Sequence, residues 1–151
     1  MDILDYTPAV KEDFISINKA WILSLFGEIE KEDEEVFAAP ERIIEQGGMI
    51  MFAVTDDGVA ATGMIKPLTP EKWELCKLGA NENIPHKGAG TAVFKALMDY
   101  ASKQGAKTVL IETNLKLGPA LHIYEKYGFT YVPMIDSEYK RVDVIMEYKF
   151  E

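Results

Sequence analysis

The sequence predicts an α/β fold, a mixed sheet with helices on both faces. Three observations carry that prediction. Strand patterns come first in the chain, and strand, helix, strand, helix and two further strands then follow. A strongly periodic helix, Thr91 to Gln104, lies between two apolar strand patterns. The length of 151 residues, 48% of them apolar, suits a single domain over residues 1–151 with a core of its own.

The elements follow in order. Met1 to Tyr6 reads as a short strand, Thr7 as an N-cap and Pro8 as the first helical residue. Phe14, Ile17, Trp21 and Leu25 recur at helical spacing, and Gly27 ends that helix. The aromatic members of the stripe are read as core. The acidic run Glu28 to Glu35 is read as a solvated helix end or loop. Ala39 to Gln46 forms a short helix stopped by Gly47-Gly48. Met49 to Thr55 and Val59 to Lys66 are strands joined by a tight turn at Asp57-Gly58. Pro67 to Pro70 breaks the second of them, and Lys72 to Ala80 is the next. Along it, alternation puts Glu74, Cys76 and Leu78 on one face and Leu75 and Lys77 on the other. The central helix turns Val93, Leu97, Tyr100 and Ala101 inward and has Gly105 as its C-cap. Lys107 to Thr113 is a parallel-type strand, Pro119 to Gly128 brackets a helix, and Phe129 to Pro133 and Val142 to Phe150 are the last strands.

Residues Lys87-Gly88-Ala89-Gly90-Thr91 carry the chemistry. They lie where a strand turns into a helix, and such a turn leaves backbone N–H groups aimed at one point, a ready anion site. A Walker A loop is excluded because Lys87 precedes the glycines, and a dinucleotide fingerprint fails because its third glycine is replaced by Val93. The remaining candidate is another phosphate-bearing ligand, with a plain structural turn as the bland reading.

The segments Glu74 to Ala80, Lys87 to Gly90, Glu112-Thr113-Asn114 and Tyr124 to Phe129 together resemble the GNAT superfamily of acyl-CoA-dependent N-acyltransferases in order and spacing. The resemblance covers Trp73 to Pro133, and Glu138 to Arg141 before the final strand also fits it. Pro85 departs from the Gln or Arg usual in the family and deletes one amide, and His86 stands where a glycine is common. The resemblance implies a mostly antiparallel central sheet whose central strands, ending near Ala80 and Asn114, splay to admit acetyl-CoA. It implies a cofactor site at Leu78, Gly79 and Ala80 on the strand, at His86, Lys87, Gly88, Ala89, Gly90 and Thr91 in the phosphate turn, and at Asn114 and Tyr124. It implies catalysis with Glu74 as base, Glu112 as the rival base, a main-chain amide near Leu78 as oxyanion donor, and Tyr124 as the acid that protonates the leaving thiol. It also sets the segment after the first helix beside the acceptor cleft, where the acidic run would attract a cationic amine.

Each role has a plainer counterpart. Glu74 and Glu112 can be ordinary sheet carboxylates, Tyr124 a core residue beside Leu121 and Tyr127, and Asn114 a turn residue. Arg141 pairs with acids, or with Tyr139 lines the cleft. Cys76, the single cysteine, is read as buried and structural. Two distant histidines, His86 and His122, and one cysteine make no metal site. A net charge of −9 argues against nucleic-acid and anionic-membrane partners. The absence of a long apolar run or signal pattern suggests a cytoplasmic protein. The expected function is transfer of an acetyl group from acetyl-CoA to a primary amine of a small molecule or peptide. The alternative is a silent acyl-CoA-binding sensor or interaction module. The acceptor is not legible, and the oligomeric state is open, a homodimer among the options.

Overall fold

The computed structural model describes residues 1–134 and 136–151. Among the described residues, seven strands form one mixed sheet: β1 Asp2–Asp5, β2 Met49–Thr55, β3 Gly58–Pro67, β4 Lys72–Ala80, β5 Thr108–Thr113, β6 Thr130–Val132 and β7 Val144–Lys149. Their spatial order is β1-β2-β3-β4-β5-β7-β6. Neighbours are antiparallel except β4 and β5, which run parallel. The parallel pair needs a crossover, and the helix α4, Ala89–Lys103, supplies it. The helix α5, Gly118–Lys126, packs on the same face, with Leu121 and Tyr124 joining Val93, Phe94 and Leu97 over Leu75 and Ile111. The opposite face carries α1 Lys11–Phe26, α2 Lys31–Ala38 and α3 Glu41–Glu45, whose Phe14, Ile17, Phe37 and Ile43 pack on Ile50, Phe52 and Met64. Among the described residues no helix is long and apolar enough to cross a membrane.

Most expected elements appear at their expected places, and four details differ. Pro8–Val10 forms a 3-10 turn, and the α-helix starts only at Lys11. The inner face of α1 uses Ile22, while Leu25 is exposed. Phe94 joins the inner face of α4, and Tyr100 is only half-buried. The acidic run is a helix of its own rather than a loop. The Glu30 and Asp33 side chains cap each other's main chain at its start, and Asp33 and Phe37, one turn apart, are buried.

Two irregularities in β4 shape the molecule's centre. Its pairing with β5 covers only Lys72, Trp73 and Glu74, against Thr108, Val109 and Leu110. Beyond Glu74 the strands diverge, as expected. The second irregularity is a bulge: Cys76 pairs with Met64 and Gly79 with Thr62, so Lys77 and Leu78 together oppose Gly63. Lys77 takes the left-handed conformation, φ 53°. The extra residue breaks the expected alternation. Lys77 joins Cys76 on the α1–α2 side, reaching Asp33, and Leu78 moves to the α4 side with Leu75. The placement of Leu78 with Glu74, and of Lys77 opposite them, is therefore corrected by one bulged residue.

Candidate active site

The turn after β4 is built for exposure of its amides. Gly88 has φ 86°, a left-handed value that costs glycine nothing. Ala89 N–H donates to the His86 carbonyl (3.1 Å), and Ala92 N–H to Gly88 (2.9 Å) starts the helix ladder. Among the described residues the amides of Lys87, Gly88, Gly90 and Thr91 have no acceptor. Four donors and the positive end of a 15-residue helix thus converge beside the mouth of the β4–β5 gap. The side chains of His86 and Lys87 are exposed.

From this turn an apolar slot of about 360 Å³ runs along the free edge of β4. Leu78, Gly79 and Ala80 form one side, Ala120 and Ile123 of α5 the other, and Gly90 its end. Trp21 of α1 roofs it. A Cβ on Gly79 would stand 2.6 Å from the indole, so only glycine lets the ring lie against the strand. Trp21 is held there by its Nε1–H, which donates to Asn18 Oδ1 (2.9 Å). The expectation that the α1 aromatics are core holds for Phe14. Trp21 is half-buried and lines the cleft.

The slot deepens into a narrower cavity where β4 and β5 part, holding Glu74, Glu112 and Tyr124. Glu74, on the last β4–β5 rung, and Glu112, two residues past it, share a sheet face. Burial, then hydrogen bonding with Glu112, pushes the Glu74 carboxyl up to about 7, despite the Lys66 ammonium 3.6 Å away. Tyr124 is buried among Phe94 and Phe129, and its hydroxyl has no hydrogen-bond partner among the described residues. Because no fully buried side-chain polar atom among the described residues is left unpaired, that hydroxyl opens to the cavity. Burial, with the Cys76 sulfur nearby, raises its pKa and keeps it protonated. The Cys76 thiol is itself driven up to about 12 by burial and is no nucleophile at neutral pH.

The far wall is an ion cluster that the sequence did not announce. Asp33, wholly buried, accepts from Arg141 Nη1 and Nη2 (2.6 and 2.7 Å) and from Lys77 Nζ (2.7 Å). Burial pulls its pKa upward, but the Arg141 hydrogen bonds and the Lys77 charge win, and it falls to about 2. Glu30 accepts from the amides of Lys140 (2.7 Å) and Arg141 (3.3 Å). The Tyr139 ring lies 4.5 Å from both Lys77 Nζ and the Arg141 guanidinium carbon. Arg141 therefore both pairs with acids and lines the cleft. Asn114 holds the same segment: its Nδ2 donates to the Arg141 carbonyl (2.6 Å), and its Oδ1 accepts from Lys116 N–H (2.8 Å). Those bonds match the turn-forming reading of Asn114 and leave its carbonyl oxygen engaged.

The structure thus gathers Glu74, Glu112, Leu78, Asn114 and Tyr124 around one cavity, and Leu78, Gly79, Ala80 and Gly90 around the slot. His86, Lys87, Gly88, Ala89 and Thr91 form the turn and first helical turn beside it. His122 is exposed on α5. The site residues missed by sequence are Trp21, Asp33, Lys66 and Lys77. A signal existed for Asp33, which stands one turn before the apolar Phe37. None existed for Lys77, because no glycine marks the bulge.

The chain's relatives agree with this arrangement. Residues 14–129 match the model of the acetyltransferase (GNAT) family. A GNAT-family acetyltransferase from Staphylococcus aureus Mu50 superposes with a TM-score of 0.87 at 16% identity, covering 99% of both chains. The Salmonella typhimurium yncA structure, solved with its cofactor acetyl-CoA, reaches 0.80 at 13% identity, over 99% of this chain and 94% of that one. The alanine N-acetyltransferase of ribosomal protein bS18 from Escherichia coli K12 is 24% identical over 61% of this chain and 62% of its own. The chain spans 57 to 62% of the length of the curated relatives it matches. The family match covers most of the chain, and the parted strands and open turn are present in full: the chain belongs to the GNAT acetyltransferase family.

Proposed function

We propose that this chain is an N-acetyltransferase that moves an acetyl group from acetyl-CoA to a primary amine by direct attack. One observation carries the reading: two adjoining pockets that share Trp21, Leu78, Leu117 and Ala120 run from Gly90, in the turn with four unpaired amides, to Glu74 and Tyr124. The residues fit the ligand. The amides of Lys87, Gly88, Gly90 and Thr91 suit a diphosphate, and the apolar slot with the unpaired edge of β4 suits an extended pantetheine arm. Acetyl-CoA supplies, when bound, an acyl group activated as a thioester.

The chain's own groups do the rest. Glu74, near half-ionised at neutral pH, takes a proton from the acceptor ammonium, directly or through one water. Glu112, in the same cavity, is the rival base. The amide of Leu78, on the bulge, is the nearest main-chain donor for the carbonyl oxygen as it gains charge. Tyr124, held neutral by burial, protonates the departing sulfur. Trp21 and the Tyr139–Arg141 wall exclude water.

The test is thiol release from acetyl-CoA by the purified chain, screened over amines, amino acids, polyamines and peptides with free N-termini. At least one class is expected to support release, and Tyr124→Phe to reduce it. Failure to bind either acetyl-CoA or coenzyme A overturns the reading. Binding without release from any acceptor points instead to a silent binding module.

A further inference from the structure

Among the described residues the cavity presents three cations, and Lys66 is the most loosely paired of them. Lys77 is fixed by Asp33 and Tyr139, and Arg141 by Asp33 and Glu30. Lys66 is different. It is the direct cross-strand partner of Glu74, and its Nζ lies 3.6 Å from Glu74 Oε1, beyond hydrogen-bond length. Among the described residues this long ion pair with Glu74 is the one partner of its ammonium, although its side chain is only 28% exposed. Burial pulls its pKa downward, but neighbouring Cys76, Glu74 and Glu138 outweigh that and raise it, so it stays cationic. The cleft therefore offers a carboxylate and an ammonium side by side and only loosely paired, within the cavity that holds Tyr124.

We infer that the acceptor is a free α-amino acid, its ammonium held by Glu74 and its carboxylate by Lys66. The inference rests on acetyl transfer at Glu74 as proposed above. An α-amino acid carries opposite charges on one carbon, the mirror of the Lys66–Glu74 pair, and fills both sites at once. A polyamine would bring a second cation toward Lys66. A peptide N-terminus would set a neutral amide against it, leaving a half-buried charge unpaired. The wall of Tyr139 and Arg141, latched by the buried Asp33, also confines what can follow the amine. In the reaction the nitrogen–acyl bond forms as the acyl–sulfur bond breaks. Of the two protons the nitrogen loses, one leaves through Glu74 to solvent and the other returns to Tyr124, which has given its own proton to the sulfur. The amino acid's carboxylate is unchanged.

The experiment measures thiol release with each protein amino acid, its carboxamide and the amine lacking the carboxyl group, at a pH well above the Glu74 midpoint. The expected result is at least one amino acid preferred over its carboxamide by about tenfold or more in kcat/KM. Lys66→Met should bring that ratio close to one, and Lys66→Arg should restore much of it. Because the readout is a ratio at one pH, any change in the proton affinity of Glu74 cancels. Carboxamides, peptides or polyamines used as well as amino acids overturn the inference while leaving acetyl transfer standing. So does an unchanged ratio in folded Lys66→Met. If that variant does not fold, the wild-type ratio alone decides. No release from any acceptor removes both readings together.

Discussion

Asp33 and Glu74 are both buried carboxylates, Glu74 lining the cavity and Asp33 behind its Lys77–Arg141 wall, yet their surroundings drive them apart. Asp33 has two cations in direct hydrogen-bond contact and falls to about 2. Glu74 has a second carboxylate beside it and a lysine just out of reach, and rises to about 7. Burial raises both, and the cations within 3 Å of Asp33 reverse that effect there, whereas Glu74 has none so close. A carboxylate saturated by donors is an anchor that cannot exchange protons near neutrality. One left short of donors can. The same contrast separates the two tyrosines of the cleft: Tyr139 is clasped by Lys77 and Arg141, and Tyr124 has an unengaged hydroxyl.

Exchanging the roles of the two carboxylates would break the comparison most visibly. Asp33→Asn leaves Arg141 and Lys77 buried without their counter-charge, and stability should fall by about 3–5 kcal/mol. By calorimetry the Tm should drop by about 10 °C or more. Glu74→Gln should do the reverse: kcat/KM for thiol release falls by about 10²–10⁴-fold, with the fold intact. Tyr124→Phe should cost activity by about 10²-fold with little change in Tm, since its hydroxyl makes no bond within the described chain.

Stability against pH sharpens the contrast, because the two groups carry opposite signs. The pKa of Asp33 is lowered on folding from 3.8 to about 2, so its contribution is present above about 4 and is lost as pH falls toward 2. The pKa of Glu74 is raised from 4.5 to about 7, so the fold is favoured below about 4.5 and loses that contribution as pH rises through 7. Each swing is roughly 2–3 kcal/mol by linkage. Denaturant titrations should therefore show Glu74→Gln more stable than wild type above pH 7, and equal to it in acid. The smallest effect is expected at the turn. Gly88→Ala meets no neighbour but must hold φ 86°, which costs about 1 kcal/mol in stability.

Much of this architecture was legible in the residues. Lys72 to Ala80 is a strand with the expected bounds, because apolar residues fill it and prolines and the following turn limit it. Asp57-Gly58 forms its hairpin, with Gly58 at φ 128°. The parting of β4 and β5 follows from the resemblance and appears in the register. The bulge was invisible because a lysine, not a glycine, takes the left-handed conformation, and Asp33 can hold that lysine from another element. The Asp33–Arg141 latch joins residues far apart in the chain, and local patterns carry no information about such pairings. For the same reason the charge run Glu28 to Glu35 reads as solvated, although Glu30 and Asp33 turn inward to long-range partners. The pairing of Lys66 with Glu74 needed the strand register, which fixes only when the hairpin and bulge are known.

The most direct test is the pH dependence of kcat/KM for amine-dependent thiol release from acetyl-CoA. Wild-type protein should show a limb that rises to a plateau with a midpoint near 7, and Glu74→Gln should lose that limb while still binding coenzyme A. A limb that persists unshifted in Glu74→Gln, or no amine-dependent release at any pH, would contradict the account.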